Sequence, residues 1–410
     1  MSHKNFIGYG IILSSAALLF ACGGSSDTST TDTSSSTTSG AITAFGSIYV
    51  NGKEIHTDNA SIYIEDEAAS ESDLRVGMMV HVTESSDGVA ASVHHDDDIE
   101  GIVLSNNIAA GTTTGTMNIM GHTVTIDENT IFESYVNSIT TYSDIVAGNI
   151  VEVSGYSAGM GDITATRIEV KATDLADYIS RGHEYIEFKG IVQNHSGNTF
   201  DIGMMTVDYA SAILDGMSSI SDGMYVEVKS TQGIDTDTGY LIASKVELEN
   251  DGSRDHYGDE DDEYEVEGKV VAITDTSITV GSDTFILNDS TEYEYGDKTA
   301  IMVGMMVEVE GYYNSENQLV AKEVEIEEYD NLLEFTDTVS AVESTEANVG
   351  TITLNGGQVI HVNADTIMHD DSSMDHEQFN ITQMNQGDLV EVYCYDNGDG
   401  TYTATKVERK

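Results

Sequence analysis

One short phrase, repeated five times, constrains this chain more than any other feature. In each copy an apolar residue is followed at three positions by glycine, and two valines stand three and five positions after that glycine. The copies are Leu74/Gly77/Val80/Val82, Ile145/Gly148/Val151/Val153, Ile220/Gly223/Val226/Val228, Ile301/Gly304/Val307/Val309 and Met384/Gly387/Val390/Val392. After each copy comes a turn, then an alanine followed at three residues by a β-branched residue: Ala90/Val93, Ala165/Ile168, Ala243/Val246, Ala321/Val324 and Ala404/Val407. A chain written this way is a series of copies of one supersecondary unit.

The phrase has the physics of a β-hairpin entered from a helical turn. In the fourth copy Met305, Val307, Val309 and Gly311 share one face, while Met306, Glu308 and Glu310 share the other, the period of a half-buried strand. The glycine suits a left-handed residue that ends a short turn, and the apolar residue upstream covers the core beneath it. Parity places Cys394 on the inward face, where two other copies have Gly155 and Gly311.

Each module has more than this hairpin. The copies open with Glu-Gly-x-Val at Glu100/Gly101/Val103 and Glu267/Gly268/Val270, with Lys189/Gly190/Val192 as a variant and Asp337 before Val339 in the last. A short strand, a glycine-containing turn and a third strand follow. The third strand ends in Asp or Asn followed at three residues by Thr or Ser: Asp58/Ser61, Asp127/Thr130, Asp208/Ser211, Asn288/Thr291 and Asn363/Thr366. Asn replaces Asp in two copies, so this pair is a side-chain-to-backbone turn rather than a site. The variable stretch after it, such as residues 372–386, is long enough for a short helix.

The fold class expected is therefore all-β: five tandem OB-like small barrels of five strands, each with a short helical turn between strands 3 and 4. The modules fall at 40–97, 98–172, 183–250, 264–328 and 333–410, with a highly charged linker at 251–263. This set of motifs resembles the bacterial family named domain of unknown function 5666, repeated small β-barrels of exported proteins and lipoproteins. The resemblance covers nearly the whole chain beyond residue 39. It implies a fold and no catalytic residue.

The N-terminal end reads as an address. Residues 1–21 hold Lys4, an uncharged run and then small residues, the pattern of an export signal. Leu19 to Cys22 (LFAC) resembles the lipobox of bacterial lipoproteins, which implies that Cys22 is lipidated and becomes the mature N-terminus; Gly23 after it favours the outer membrane or cell surface. Residues 22–39 are Ser/Thr-rich and form a polar tether. With Cys22 so used, Cys394 is the one remaining thiol, and no intramolecular disulfide is expected.

Charge then limits the partners. Sixteen Lys and Arg stand against 72 Asp and Glu, a net charge of −56 that repels nucleic acid. The membrane, through the anchor, is the expected partner, with an envelope protein or glycan beyond it. No nucleophile elbow, zinc spacing or phosphate-cradling loop is present, and a site is usually built once rather than five times, so the chain is read as a non-catalytic scaffold or binding protein. No cofactor is implied beyond calcium, which carboxylates would take. The metal candidates are Asp370, Asp371, Asp375 and His376 in the last module and Asp259 and Asp261 in the charged linker; the run His94 to Asp98 is a further imidazole-carboxylate cluster. Divalent-cation-dependent binding and saccharide binding on the barrel faces are the alternatives.

Overall fold

In the computed structural model the four glycines of the repeated phrase that are among the described residues adopt the left-handed backbone that the sequence calls for, with φ of +87° at Gly77, +97° at Gly148, +90° at Gly223 and +98° at Gly387. The structure describes residues 36–249 and 263–410, except residues 66, 87, 158–160, 281–282, 295–297, 299–300, 302–304, 315–317, 328–332, 373–375, 377 and 398–399. The expected signal, Cys22, most of the tether and residues 251–262 of the linker lie outside the described residues.

The turn does a specific job. Gly148 N–H donates to Val103 O at 2.9 Å, and Val103 N–H donates back to Asn149 O at 2.9 Å. The same reciprocal pair joins Gly77 and Met78 to Ile42, Gly223 and Met224 to Val192, and Gly387 and Asp388 to Val339, at 2.8–2.9 Å. The valine of the Glu-Gly-x-Val opening and the glycine of the hairpin phrase are thus two ends of one clasp, which fixes the opening strand against the fourth. Upstream of the glycine, 3-10 turns at Glu71–Asp73, Tyr142–Asp144 and Ile381–Gln383 carry capping boxes. Leu74, Ile145 and Met384 then fall beneath those turns, at 0%, 1% and 5% exposure.

The acid-hydroxyl turn is a second clasp. Asp127 N–H donates to Thr130 Oγ1 at 3.0 Å, and the Thr130 hydroxyl donates to Ala165 O at 2.8 Å. Asn288, Thr291 and Ala321 repeat this arrangement, as do Asn363, Thr366 and Ala404. The threonine therefore ties the end of the third strand to the alanine of the fifth, where the ladder has a bulge: the register shifts at Gly155/Ala165, Gly311/Ala321 and Cys394/Ala404. Cys394 has no exposed surface, and burial pushes its thiol up to about 11.

These ties close small barrels of five strands. In the last module Leu333–Glu346 pairs with Val349–Leu354 and with Leu389–Asp396, Leu389–Asp396 pairs with Thr401–Arg409, and Val359–Val362 closes the ring by pairing parallel with Thr401–Arg409. The described residues are nearly all β. Two expectations change. The variable stretch contributes a short extra strand, Ser61–Ile64, Ile131–Ser134, Ile213–Asp215, Glu292–Glu294 or Ile367–Asp370, which pairs parallel with the far half of the fifth strand. Three or four residues show no period, and the partner is some 30 to 40 residues away, so neither clue is local. In addition, the first strand is Ser36–Phe45, beginning inside the expected tether. Its polar side chains hid it, but its backbone pairs with Met79–Ser86 and, at Thr37 to Ser39, parallel with Tyr264 to Val266.

The modules share cores and edges. One apolar cluster runs without a break from Ile99 to Val246. Ala44 and Tyr49 of the first module belong to the core of the last. Asn380 Nδ2 donates to Phe45 O at 3.0 Å, and Lys406 Nζ reaches Thr130 O at 3.4 Å. The first, second and last modules are therefore in direct contact, and the described residues form one compact unit.

The two clasps give separate tests. No atom lies within 4 Å of a Cβ built on Gly148, so Gly148→Ala isolates backbone strain and is expected to lower stability by about 1 kcal/mol. Thr366→Val removes the hydroxyl that Ala404 O accepts from and is expected to cost about 1–3 kcal/mol. Urea unfolding of both variants checks the order.

Candidate functional site

The hairpin phrase carries Glu or Lys on the face opposite the core, and at the junction of the first two modules that face is covered by the neighbouring module. The result is a buried cluster of charges. Arg167, 2% exposed, donates from Nη2 to Glu133 Oε2 at 2.6 Å and Glu169 Oε2 at 2.8 Å, and from Nη1 to Val76 O of the first module at 3.1 Å. Lys171 sits between Glu152 Oε2 at 2.6 Å and Glu169 Oε1 at 2.5 Å. A cavity of about 190 Å³ lies beside them, with Glu65, Asp97, Glu100, Glu152 and Glu169 on its wall.

His95 and Asp97, in the segment that links the two modules, face this cavity. The His95 ring is 1% exposed, and its Nδ1 is 2.7 Å from Met79 O, a distance at which Nδ1–H donates. Asp97 accepts from Ser154 Oγ at 2.8 Å, while Asp97 N–H donates to Glu65 Oε1 at 2.5 Å. Burial, reinforced by Asp97, pushes Glu65 up to about 8, and burial pushes Glu100 to about 7. Burial opposes charge on His95, but Asp97 outweighs it and raises the imidazole to about 9.

A second buried cluster lies in the last module. Arg409, 2% exposed, donates from Nε to Asp370 Oδ1 at 2.8 Å, makes a further contact from Nη2 to Asp370 Oδ2, and reaches Asp388 Oδ2 from Nη1 at 3.4 Å. Its guanidinium lies over Phe379, 4.3 Å from the ring centroid. Next to it, Glu408 lies 3.1 Å from Lys406 and 2.5 Å from Lys410.

Four segments match one family model, described as Domain of unknown function (DUF5666), at residues 39–92, 100–169, 267–325 and 338–408, more than half of the chain. The chain belongs to that family. No curated protein matches it. A solved structure described as "drosophila Unr CSD456" is similar over 55% of this chain and 97% of its own, at 12% identity and a TM-score of 0.13. A likeness that weak carries no argument.

Of the metal candidates read from the sequence, Asp259, Asp261 and Asp375 lie outside the described residues. Asp370 is brought against Arg409, and the backbone N–H of exposed His376 donates to Asp370 Oδ2 at 2.9 Å. Asp371 is exposed, 3.7 Å from Lys410. In this DUF5666 module the carboxylate of Asp370 thus has a buried cation as its partner. Among the described residues, acidic donors converge within 4.8 Å at Glu65, Glu187 and Glu227 and at Glu265, Glu308 and Glu310. Sequence reading missed both sets because Glu65 belongs to a different module from Glu187 and Glu227, and Glu265 to a different strand from Glu308 and Glu310. In the run His94 to Asp98 it did mark His95 and Asp97, but the carboxylates around them are distant in sequence.

The buried pairs set an acid limit. Burial alone would raise Glu408, but Lys406, His369 and Lys410 bring it from its ordinary value of 4.5 to about 2. A carboxylate depressed on folding contributes stability that is present above its unfolded value and lost as pH falls through its folded value. Stability is therefore expected to drop between pH 4.5 and about 2. Glu408→Gln should make that limb shallower, as followed by thermal melts across the window.

Proposed function

We propose that this chain is a non-catalytic, lipid-anchored protein of the cell envelope, in which five OB-like modules form a surface scaffold or binding body. The observation that carries this reading is that the repeated residues are used to hold the barrels closed: glycine and valine in one clasp, Asp or Asn with Thr in the other. Residues that recur from module to module to close a barrel are not the residues of a reaction site.

The fifth copy is the segment 183–250, which has no family match of its own. It repeats the left-handed glycine at Gly223, the clasp to Val192, and the parallel pairings of Met205–Asp208 with Leu241–Ile242 and of Ile213–Asp215 with Lys245–Leu248. Counted with it, the modules are five in this reading. The anchor in this reading is Cys22, on the strength of the LFAC sequence and the polar stretch that follows it. A net charge of −56 fits a solvated outer surface, and the partners it favours are cationic or neutral envelope components, a protein or a glycan, rather than nucleic acid.

Cys22→Ser decides the anchored part of the proposal. The parent chain is expected in the membrane fraction and labelled by a fatty-acid probe, and the variant is expected unlabelled and in the soluble fraction. A variant that still pellets with membranes, from a parent that takes up no label, would overturn it.

A further inference from the structure

In three modules the short extra strand places an isoleucine directly across from a cation of the fifth strand: Ile131 opposite Arg167, Ile213 opposite Lys245 and Ile367 opposite Lys406. Two residues further along the same pair of strands stand Glu133 and Glu169 in the second module, Asp215 and Glu247 in the third, and His369 and Glu408 in the last. In the other two modules Ser61 faces Ser92 and Glu292 faces Glu323, so the isoleucine-cation pair belongs to the second, third and last.

Two of the three pairs fasten one module to another, and in the same way. Ile131 has no exposed surface because it lies in the apolar cluster of the first module, while Arg167 Nη1 donates to Val76 O at 3.1 Å, the carbonyl just before left-handed Gly77. A Cβ built on Gly77 would fall 3.0 Å from Arg167 Cβ and 3.2 Å from Ile131 Cγ1, so the pair is seated on that turn. In the last module Ile367 packs against the same cluster, and Lys406 Nζ reaches Glu128 O at 3.5 Å and Thr130 O at 3.4 Å in a turn of the second module. Each time the isoleucine covers apolar surface of a neighbour and the cation takes backbone carbonyls of a turn.

The third pair is open. Ile213 is 68% exposed, and Lys245 is held between Asp215 Oδ2 at 3.0 Å and Glu247 Oε2 at 2.6 Å, as Arg167 is between Glu133 and Glu169. A matching turn is open as well. Among the described residues no atom lies within 4 Å of a Cβ built on Gly148, Gly223 or Gly387. The turns before Gly223 and Gly387 are polar, with Ser221 and Asp222 in one and Asn385 and Gln386 in the other, whereas the turn before Gly148 is Val146 and Ala147, and Val146 is 58% exposed.

We propose that Ile213 and Lys245 of one copy dock on the turn Val146 to Gly148 of a second copy, with Lys245 Nζ donating to Ala147 O as Arg167 donates to Val76 O within the chain. The partner is a second copy because both halves of a contact that the chain makes internally are left uncovered on its own surface. The two halves differ, so the interface is heterologous and copies add head to tail. One isoleucine and one turn make a small contact, which is weak and depends on concentration. A net charge of −56 on every copy opposes it until salt screens charges more than about 8 Å apart, at about 0.15 M.

The test is sedimentation velocity of the full chain at about 0.15 M NaCl, in mild detergent so that the uncharged run near its N-terminus does not associate. The parent is expected to pass from one copy to two and more as its concentration rises. Ile213→Asp and Val146→Asp, both at exposed positions, are each expected to stay a single copy. Mixed in equal amounts they are expected to form a species of two copies and none larger, since the first keeps a working turn and the second a working strand. That recovery also shows that both variants are folded. Met204→Asp, at a position of the third module that is 69% exposed and apart from the pair, should associate like the parent. A parent that stays a single copy at every concentration, single variants that associate like the parent, a mixture that stays at one copy, or loss of association in Met204→Asp would overturn the proposal.

Discussion

Sixteen basic residues have to serve a chain with 72 acidic ones, and where they sit decides how the modules combine. Arg167, Lys171, Lys406, Arg409 and Lys410 are all on the fifth strands of their barrels, within Asp162–Ala172 and at or just past Thr401–Arg409. That strand pairs on both sides, antiparallel with the fourth and parallel with two short segments. A cation placed there reaches carboxylates from several strands at once. Arg167 also reaches across to Val76 O, so the same guanidinium that neutralises Glu133 and Glu169 fastens the second module to the first.

A buried pair of this kind gives modest net stability, because removing both charges from water costs nearly what their attraction returns. Loss of one partner is different. An uncompensated buried carboxylate costs about 3–5 kcal/mol, and in this acidic body few other cations stand near enough to take over. Small barrels of this size bury about 60% of their unfolded surface and are marginal alone. Shared apolar clusters, and the hydrogen bonds of Arg167 and Lys406 to carbonyls of neighbouring modules, remove that weakness by making the modules parts of one body. Glu84 of the first module illustrates the rule on a small scale. It occupies the bulge position that Gly155, Gly311 and Cys394 fill elsewhere, yet it is 1% exposed, because Thr38, Lys53 and the Gly88 N–H all donate to its carboxylate.

Local backbone chemistry was legible in the sequence, and tertiary chemistry was not. Gly77, Gly148, Gly223 and Gly387 could be assigned left-handed φ from one sequence because a strand entered from a tight turn demands it. The inward position of Cys394 followed from strand parity. The pairing of Ile131–Ser134 with the fifth strand could not be read, since it depends on a parallel neighbour more than thirty residues away. For the same reason Asp370 looked like a free carboxylate until Arg409 was seen against it. His95 and Asp97 stood out as an imidazole-carboxylate run, but Glu65, in the turn after Ser61–Ile64, and Glu152, in the strand Ile150–Ser157, give that run its setting and are connected to it by no spacing rule.

The central claim, that the repeated barrels are welded into one body, is tested most directly by differential scanning calorimetry of the chain at neutral pH. The account predicts one cooperative transition whose calorimetric enthalpy equals its van't Hoff enthalpy. Several successive transitions, each with the small enthalpy of a single barrel and unmoved by Arg167→Met, would contradict it.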